Sequence, residues 1–217
     1  MMSQNAEEYL EAIYKLIQDG SPAAIPALAE RLGVSSVSAN EMVRRLERDG
    51  LVAYAPYKGV TLTAEGEARA LNVLRRHRLW ERFLVDVLAM PWEEAHEAAC
   101  GLEHVSSASL IDRLERFLGE PDTCPHGHVV PTAAGQVPRR GGLPLANLAP
   151  GDHAVVLQVP EEEPGVLTYL SELGLRPGTP VVVEEIAPFD GPLTLRVGEA
   201  LLALGRNLAS QILVDRK

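Results

Sequence analysis

The sequence is poor in three things, and each shortage narrows the function. Cationic charge is the first: Lys and Arg number 20 against 30 Asp and Glu in 217 residues, a formal net charge of −10. That balance excludes a uniformly basic nucleic-acid coat protein. Cysteine is the second, with only Cys100 and Cys124. Two thiols cannot make a disulfide framework, and a thiol near His and Glu reads as a metal ligand or a buried apolar residue. The third is greasy sequence: no apolar run approaches the roughly 20 residues that cross a bilayer. Residues Met1 to Glu11 are acidic where a signal peptide would be basic and then apolar. These features predict a cytoplasmic protein with no membrane partner. There is no internal repeat, zinc-protease pattern, Gly-rich phosphate loop or nucleophile elbow, which argues against an enzyme. What remains is the composition of an ordinary globular protein, 46% hydrophobic and 23% charged.

Periodicity organises the first half. Ala6 to Ile17 places Tyr9, Leu10, Ile13, Leu16 and Ile17 on one helical stripe, with Glu8 and Glu11 beside it. Ile25 to Leu32 forms a second helix that stops at Gly33, and Ser35 and Ser36 are cap candidates for a third, about Val37 to Arg48. The third helix is expected to bury Val37, Met42, Val43 and Leu46, to expose Ser38, Asn40, Arg44, Arg45 and Arg48, and to end at Asp49-Gly50. Two short helices across a Gly turn are a helix-turn-helix signal. Two β-branched runs follow, residues 51–55 and 59–62, with Pro56-Tyr57-Lys58 as the tip between them. That is the hairpin of a winged helix. The exposed cations and polar groups, with Tyr57 and Lys58 on the wing, are types that hold phosphates and read base edges.

Ala64 to Leu88 is a long helix carrying His77 and Glu81 four apart, and Pro91 precedes a new helix with His96, Cys100, Glu103 and His104 along one side. Imidazole, thiolate and carboxylate at consistent helical offsets supply the N, S and O donors of a transition-metal site. From Gly119 to Gly151 the chain is rich in Pro and Gly and reads as a linker with little core of its own. Beyond it, short Val- and Leu-rich runs at 153–159, 180–186, 193–197, 201–204 and 211–214, with a helical stretch at 165–173, predict a small β-barrel.

The order and spacing of Glu8-Tyr-Leu-Glu11, the Leu-Glu-Arg-Asp-Gly-Leu-Val end of the winged helix, Arg76-His77-Arg-Leu-x-Glu81, and His96-Glu-Ala-Ala-Cys100-Gly-Leu-Glu103-His104 resemble the diphtheria-toxin-repressor family of metal-dependent transcription regulators, which includes the manganese transport regulator. The resemblance spans about residues 5 to 131 and includes Cys124-Pro-His-Gly-His-Val-Val-Pro131. It implies a mainly α protein with small β elements. The parts would be a winged-helix DNA-binding domain (residues 1–71), a helical metal-binding and dimerisation domain with the Pro/Gly linker (72–142), and a C-terminal SH3-like, FeoA-like barrel (143–217). It implies a primary metal site of Glu8, Cys100, Glu103 and His104 bordered by Glu11, and an ancillary site of His77, Glu81 and His96. Glu163 falls near a ligand position that iron-type members supply from the barrel, and Val166 stands where those members have an amide ligand. Ser35, Val37, Ser38 and Asn40 occupy positions that touch DNA in the family, while Cys124, His126 and His128 are read as structural.

The implied activity is repression of metal-ion homeostasis genes by a homodimer that binds double-stranded operator DNA when a divalent metal is present. Iron-type relatives have Met at the position of Glu8, and manganese-type relatives have a carboxylate at that of Cys100. Weighting the carboxylates over the single thiolate favours Mn²⁺, with Fe²⁺ a close second. A winged-helix regulator of an organic ligand is the alternative, and a metalloenzyme on the same ligands a more distant one. Residues 150–217 hold ten acids and five bases, half of the net charge, so the acidity lies largely away from Arg44, Arg45, Arg48 and Lys58.

Overall fold

Two glycines punctuate the N-terminal helices. In the computed structural model, which describes residues 3–18, 20–138, 140–160 and 164–217, α1 (Gln4–Leu16), α2 (Ile25–Arg31) and α3 (Ser36–Arg48) follow in order. Helix α2 ends at Gly33, whose φ is 63°, with Gly33 N–H donating to the Glu30 carbonyl and Val34 N–H to that of Ala29. Helix α3 ends the same way at Gly50, φ 74°, through Gly50 N–H to Glu47 and Leu51 N–H to Leu46. Both are Schellman closures, in which a left-handed residue that glycine adopts without a Cβ clash satisfies the last carbonyls. Ser35, not Ser36, caps α3, its Oγ accepting the Ser38 N–H at 3.1 Å.

Helix α1 buries Tyr9, Leu10 and Ile13 as its spacing predicts, against a core shared with Leu28 of α2 and Ala39, Val43 and Leu46 of α3. Val37 departs from expectation. It is 69% exposed, because the turn after Ser35 rotates Ala39 to the core position instead. Strands β1 (Val52–Ala55) and β2 (Gly59–Leu62) pair antiparallel from Val52 with Leu62 to Ala55 with Gly59. Ala23 adds a bridge to Val60 through two backbone hydrogen bonds, so the wing is tied to the segment before α2. Helix α4 (Ala64–Asp86) starts beneath this corner. There Thr63 Oγ1 donates to the Gly50 carbonyl at 2.8 Å and accepts the Gly66 N–H at 3.1 Å. Gly66 lies so close to the residue before β1 that an added Cβ would sit 1.9 Å from the Leu51 carbonyl oxygen.

By contacts the chain divides into two units: residues 1–77, 103–107 and 131–136 form the first, and residues 78–102, 108–130 and 137–217 the second. The second contains most of α5 (Trp92–Glu103), α6 (Ala108–Phe117) and a six-stranded antiparallel sheet. In chain order its strands are β3 (Leu143–Pro144), β4 (His153–Gln158), β5 (Pro180–Ile186), β6 (Leu193–Val197), β7 (Ala200–Leu204) and β8 (Leu213–Arg216), arranged β3-β8-β4-β5-β6-β7. Helices α7 (Pro164–Glu172) and α8 (Arg206–Gln211) complete it, with Leu167, Leu170, Val181, Val183, Leu193 and Leu195 fully buried in its core. Each such side chain contributes about 1.5–3 kcal/mol by burial. The Pro- and Gly-rich stretch is not the coreless linker its composition predicts. Cys124 and His126 are fully buried, and Leu145, Ala146 and Leu148 belong to the barrel core. Its order comes from long-range backbone pairing, such as Leu145 N–H to the Ile212 carbonyl, which composition does not encode.

Candidate functional site

Helix α3 and the wing present the nucleic-acid candidates. Ser35, Val37, Ser38, Arg44, Arg45 and Arg48 are exposed, as are Tyr57 and Lys58, whereas Asn40 is half-buried rather than exposed. Tyr57 stands clear of the wing at a φ of 64°. Arg44 is already organised: its guanidinium lies 4.4 Å over the Tyr54 ring and its Nη1 donates to Glu47 Oε2 at 3.0 Å, while Glu47 Oε1 accepts the Tyr54 N–H. A cation held in this way meets a phosphate with less side-chain entropy left to lose.

In the first unit, α1 faces Glu103 and His104. Glu103 is buried, with Oε2 2.6 Å from His77 Nδ1 and Oε1 3.0 Å from His104 Nε2. His104 Nδ1 is 2.8 Å from Glu7 Oε2, and its Nε2 is 3.8 Å from Glu8 Oε1. Burial pushes the Glu103 carboxyl above its ordinary range and the nearby Glu11 adds to this, against the opposing pull of the hydrogen bond from His77 and the charges of His77 and His104. Glu11 itself pairs with Lys15 at 3.1 Å. Sequence reasoning missed Glu7. It accepts from His104 on one side and from Arg76 Nη2 at 3.0 Å on the other. A carboxylate on the far nitrogen of an imidazole orients the ring and raises its basicity toward a metal. The signal available was the Glu7-Glu8 pair, of which only Glu8 matched the family pattern.

The second unit regroups the remaining candidates. Glu81 Oε1 lies 3.4 Å from His96 Nδ1 and 3.4 Å from His126 Nδ1, and Cys100 Sγ is 4.0 Å from His96 Nε2. Glu81, Cys124 and His126, all fully buried, converge with their ligand atoms within 4.8 Å of one another. His126 Nε2 points at the Trp92 carbonyl at 3.1 Å. A carbonyl only accepts, so Nε2 carries a proton, and Nδ1 is the ring atom that faces Glu81 and Cys124. Nitrogen, oxygen and sulfur donors facing one another in a buried space fit a divalent cation better than they fit an empty core. Sequence reasoning read Cys124 and His126 as structural because short His-rich loops are more often turns, and their partner Glu81, over 40 residues away, is linked to them by no helical period. Glu163 lies outside the described residues, and Val166 is packed against the barrel core. No described helix is long and apolar enough to cross a membrane.

Comparison with known proteins covers nearly the whole chain. Residues 1–60 match the family model for the iron-dependent repressor N-terminal DNA-binding domain. Residues 63–132 match that for the iron-dependent repressor metal-binding and dimerisation domain, and residues 143–216 that for the FeoA domain. The iron-dependent repressor IdeR of Mycobacterium tuberculosis is 36% identical, over 97% of this chain and 96% of its own length. The diphtheria toxin repressor of Corynebacterium diphtheriae is 31% identical, over 96% of each. Among solved structures, a manganese-dependent transcriptional repressor in complex with manganese superposes with a TM-score of 0.87 at 34% identity, covering 96% of this chain and 98% of that one.

Proposed function

The chain belongs to the iron-dependent repressor family of metal-activated, DNA-binding transcriptional repressors, and on that premise we propose that it represses metal-homeostasis genes as an operator-bound homodimer activated by Mn²⁺, with Fe²⁺ second. The observation that carries this reading is the meeting of Glu103 and His104 with Glu7 and Glu8 of α1. Glu8, Glu11, Glu103 and His104 of the first unit would hold the activating metal, and the Cys100 thiolate is the donor that the family resemblance adds. A divalent cation would add positive charge between Glu8, Glu11 and Glu103, beyond what Lys15 brings to Glu11. Without it, the repulsion among the three carboxylates works against the contacts of Glu7 and Glu8 with His104.

Helix α1 shares its core with α2 and α3, so holding α1 by its carboxylates also holds the recognition helix. In a two-fold dimer that sets the separation of two recognition helices to the DNA repeat. The switch can be no stronger than the difference in metal affinity between the DNA-competent and the loose states. Hard carboxylates in the first cluster favour Mn²⁺, and the one thiolate keeps Fe²⁺ in second place. In the second unit, Glu81, Cys124 and His126, with His96 beside them, would hold a further divalent metal of softer preference.

The test is an operator gel shift with and without Mn²⁺, on the parent chain and on Cys100→Ala and His77→Ala. Tight binding only with metal, lost or weakened in both variants, is expected, and equal binding without metal would overturn the switch. Arg45→Ala serves as the interface probe. It is expected to weaken binding about evenly across sequences and to reduce the slope of log K against log salt by about 1.

A further inference from the structure

The loop that carries Cys124 and His126 is built onto the barrel. Its turn closes through Gly127 N–H to the Cys124 carbonyl and Cys124 N–H to that of His128. The residue after β4 then takes both sides of it: Val159 N–H donates to the His126 carbonyl at 3.0 Å, and the His128 ring, through Nε2, to the Val159 carbonyl at 2.9 Å. Gly127, with φ 91°, comes so near β4 that a Cβ would lie 2.0 Å from the Leu157 carbonyl oxygen. The His126 ring lies against Trp92, centroids 5.3 Å apart at 33°, while its Nε2 is held by the Trp92 carbonyl. Trp92 in turn is 2% exposed and covered by Arg176, whose guanidinium lies 4.9 Å from the ring centroid and donates to Ser171 Oγ at 2.6 Å. Arg176 and Ser171 belong to the barrel segment running out of α7.

We propose that Arg176, acting through Trp92, is a positioning residue for the Glu81–Cys124–His126 metal site, so that the FeoA-like barrel sets the affinity of that site. The inference rests on the reading of those three residues as metal ligands. The ring plane of His126 is fixed by Trp92 and its tautomer by the carbonyl of the same residue, so a shift of Trp92 displaces both constraints together. Arg176 keeps Trp92 in place through cation–π attraction at a desolvated face. Partners of a ligand's partner are worth less than direct ones, so removal of Arg176 should weaken metal binding about 3- to 10-fold.

Cobalt(II) titration of the full chain tests this, read by the thiolate-to-cobalt absorbance that Cys124→Ala removes and by quenching of tryptophan emission. Arg176 is exposed, so Arg176→Ala is expected to fold, with an unfolding midpoint lowered by no more than about 2–4 °C, and to shift the Cys124 titration about 3- to 10-fold to higher cobalt. Arg176→Lys, which keeps the charge over the ring, should recover half or more of that loss. An unshifted Arg176→Ala titration, or an Arg176→Lys as impaired as Arg176→Ala, overturns the positioning role while the metal site stands. A parent chain without Cys124-dependent absorbance overturns the site itself, and the proposal with it.

Discussion

Glu103→Gln is expected to make the metal-free protein more resistant to heat at neutral pH and, at the same time, deaf to metal. Burial holds the Glu103 carboxyl above its ordinary range, so the ionised form is costlier in the folded chain than in the unfolded one. In acid both states are protonated and the penalty is absent. As pH rises through the raised folded value, the fold loses that stability. Gln has nearly the same shape without the charge, and its amide can still face His77 and His104. The gain of the variant should therefore be small in acid and grow toward neutral pH. With Mn²⁺ at about 100 times its dissociation constant, the parent gains about 2.7 kcal/mol and the variant little of it. Thermal unfolding in acid and at neutral pH, with and without Mn²⁺, checks both halves. A variant that is less stable than the parent at neutral pH, or one that keeps the Mn²⁺ response, would contradict the account of Glu103 as a buried charge awaiting a cation.

Gly66→Ala should be the most damaging single methyl in the DNA-binding region. Ala is the better helix former by about 1 kcal/mol, yet here its Cβ would sit 1.9 Å from the Leu51 carbonyl oxygen, a backbone atom between the Schellman closure of α3 and strand β1. Backbone cannot yield as a side-chain tip does. The clash forces α4 away from that corner at about 2–3 kcal/mol, a fall of roughly 5–10 °C in unfolding temperature. Operator binding should drop with it. Gly101→Ala is the control, since that helical glycine has nothing within 4 Å of an added Cβ. It should be neutral or stabilising by up to about 1 kcal/mol. Equal unfolding temperatures for Gly66→Ala and the parent would rule out the close approach.

Local signals carried much of the fold into the sequence. The stripe of Tyr9, Leu10 and Ile13, the glycines at 33 and 50, and the β-branched runs of the wing each act within one or two turns of chain, and each stands where it was expected. One misreading was local, and the rest came where the deciding partner was remote. Val37 looked apolar enough to bury, but the cap at Ser35 sets the phase of α3 and leaves it outside. Ala23 bridges to Val60, 37 residues on, and His126 and Leu145 of the 119–151 stretch pair with Val159 and Ile212 of the barrel. For the site, helical offsets showed which ligands share a face of α4 or α5. They said nothing of Glu7 behind His104, nor of Cys124 and His126 beside Glu81, because those meetings are made by tertiary packing.

The Glu7 carboxylate stands between the His104 imidazole and the Arg76 guanidinium, so two side chains in series set how that ring is held. Arg76 fixes the carboxylate and the carboxylate fixes the ring, so the aim of His104 depends on a guanidinium that is not among the candidate ligands. On the proposed reading Arg76 would be the pin on which one donor swivels, and its loss would tilt that donor without removing it.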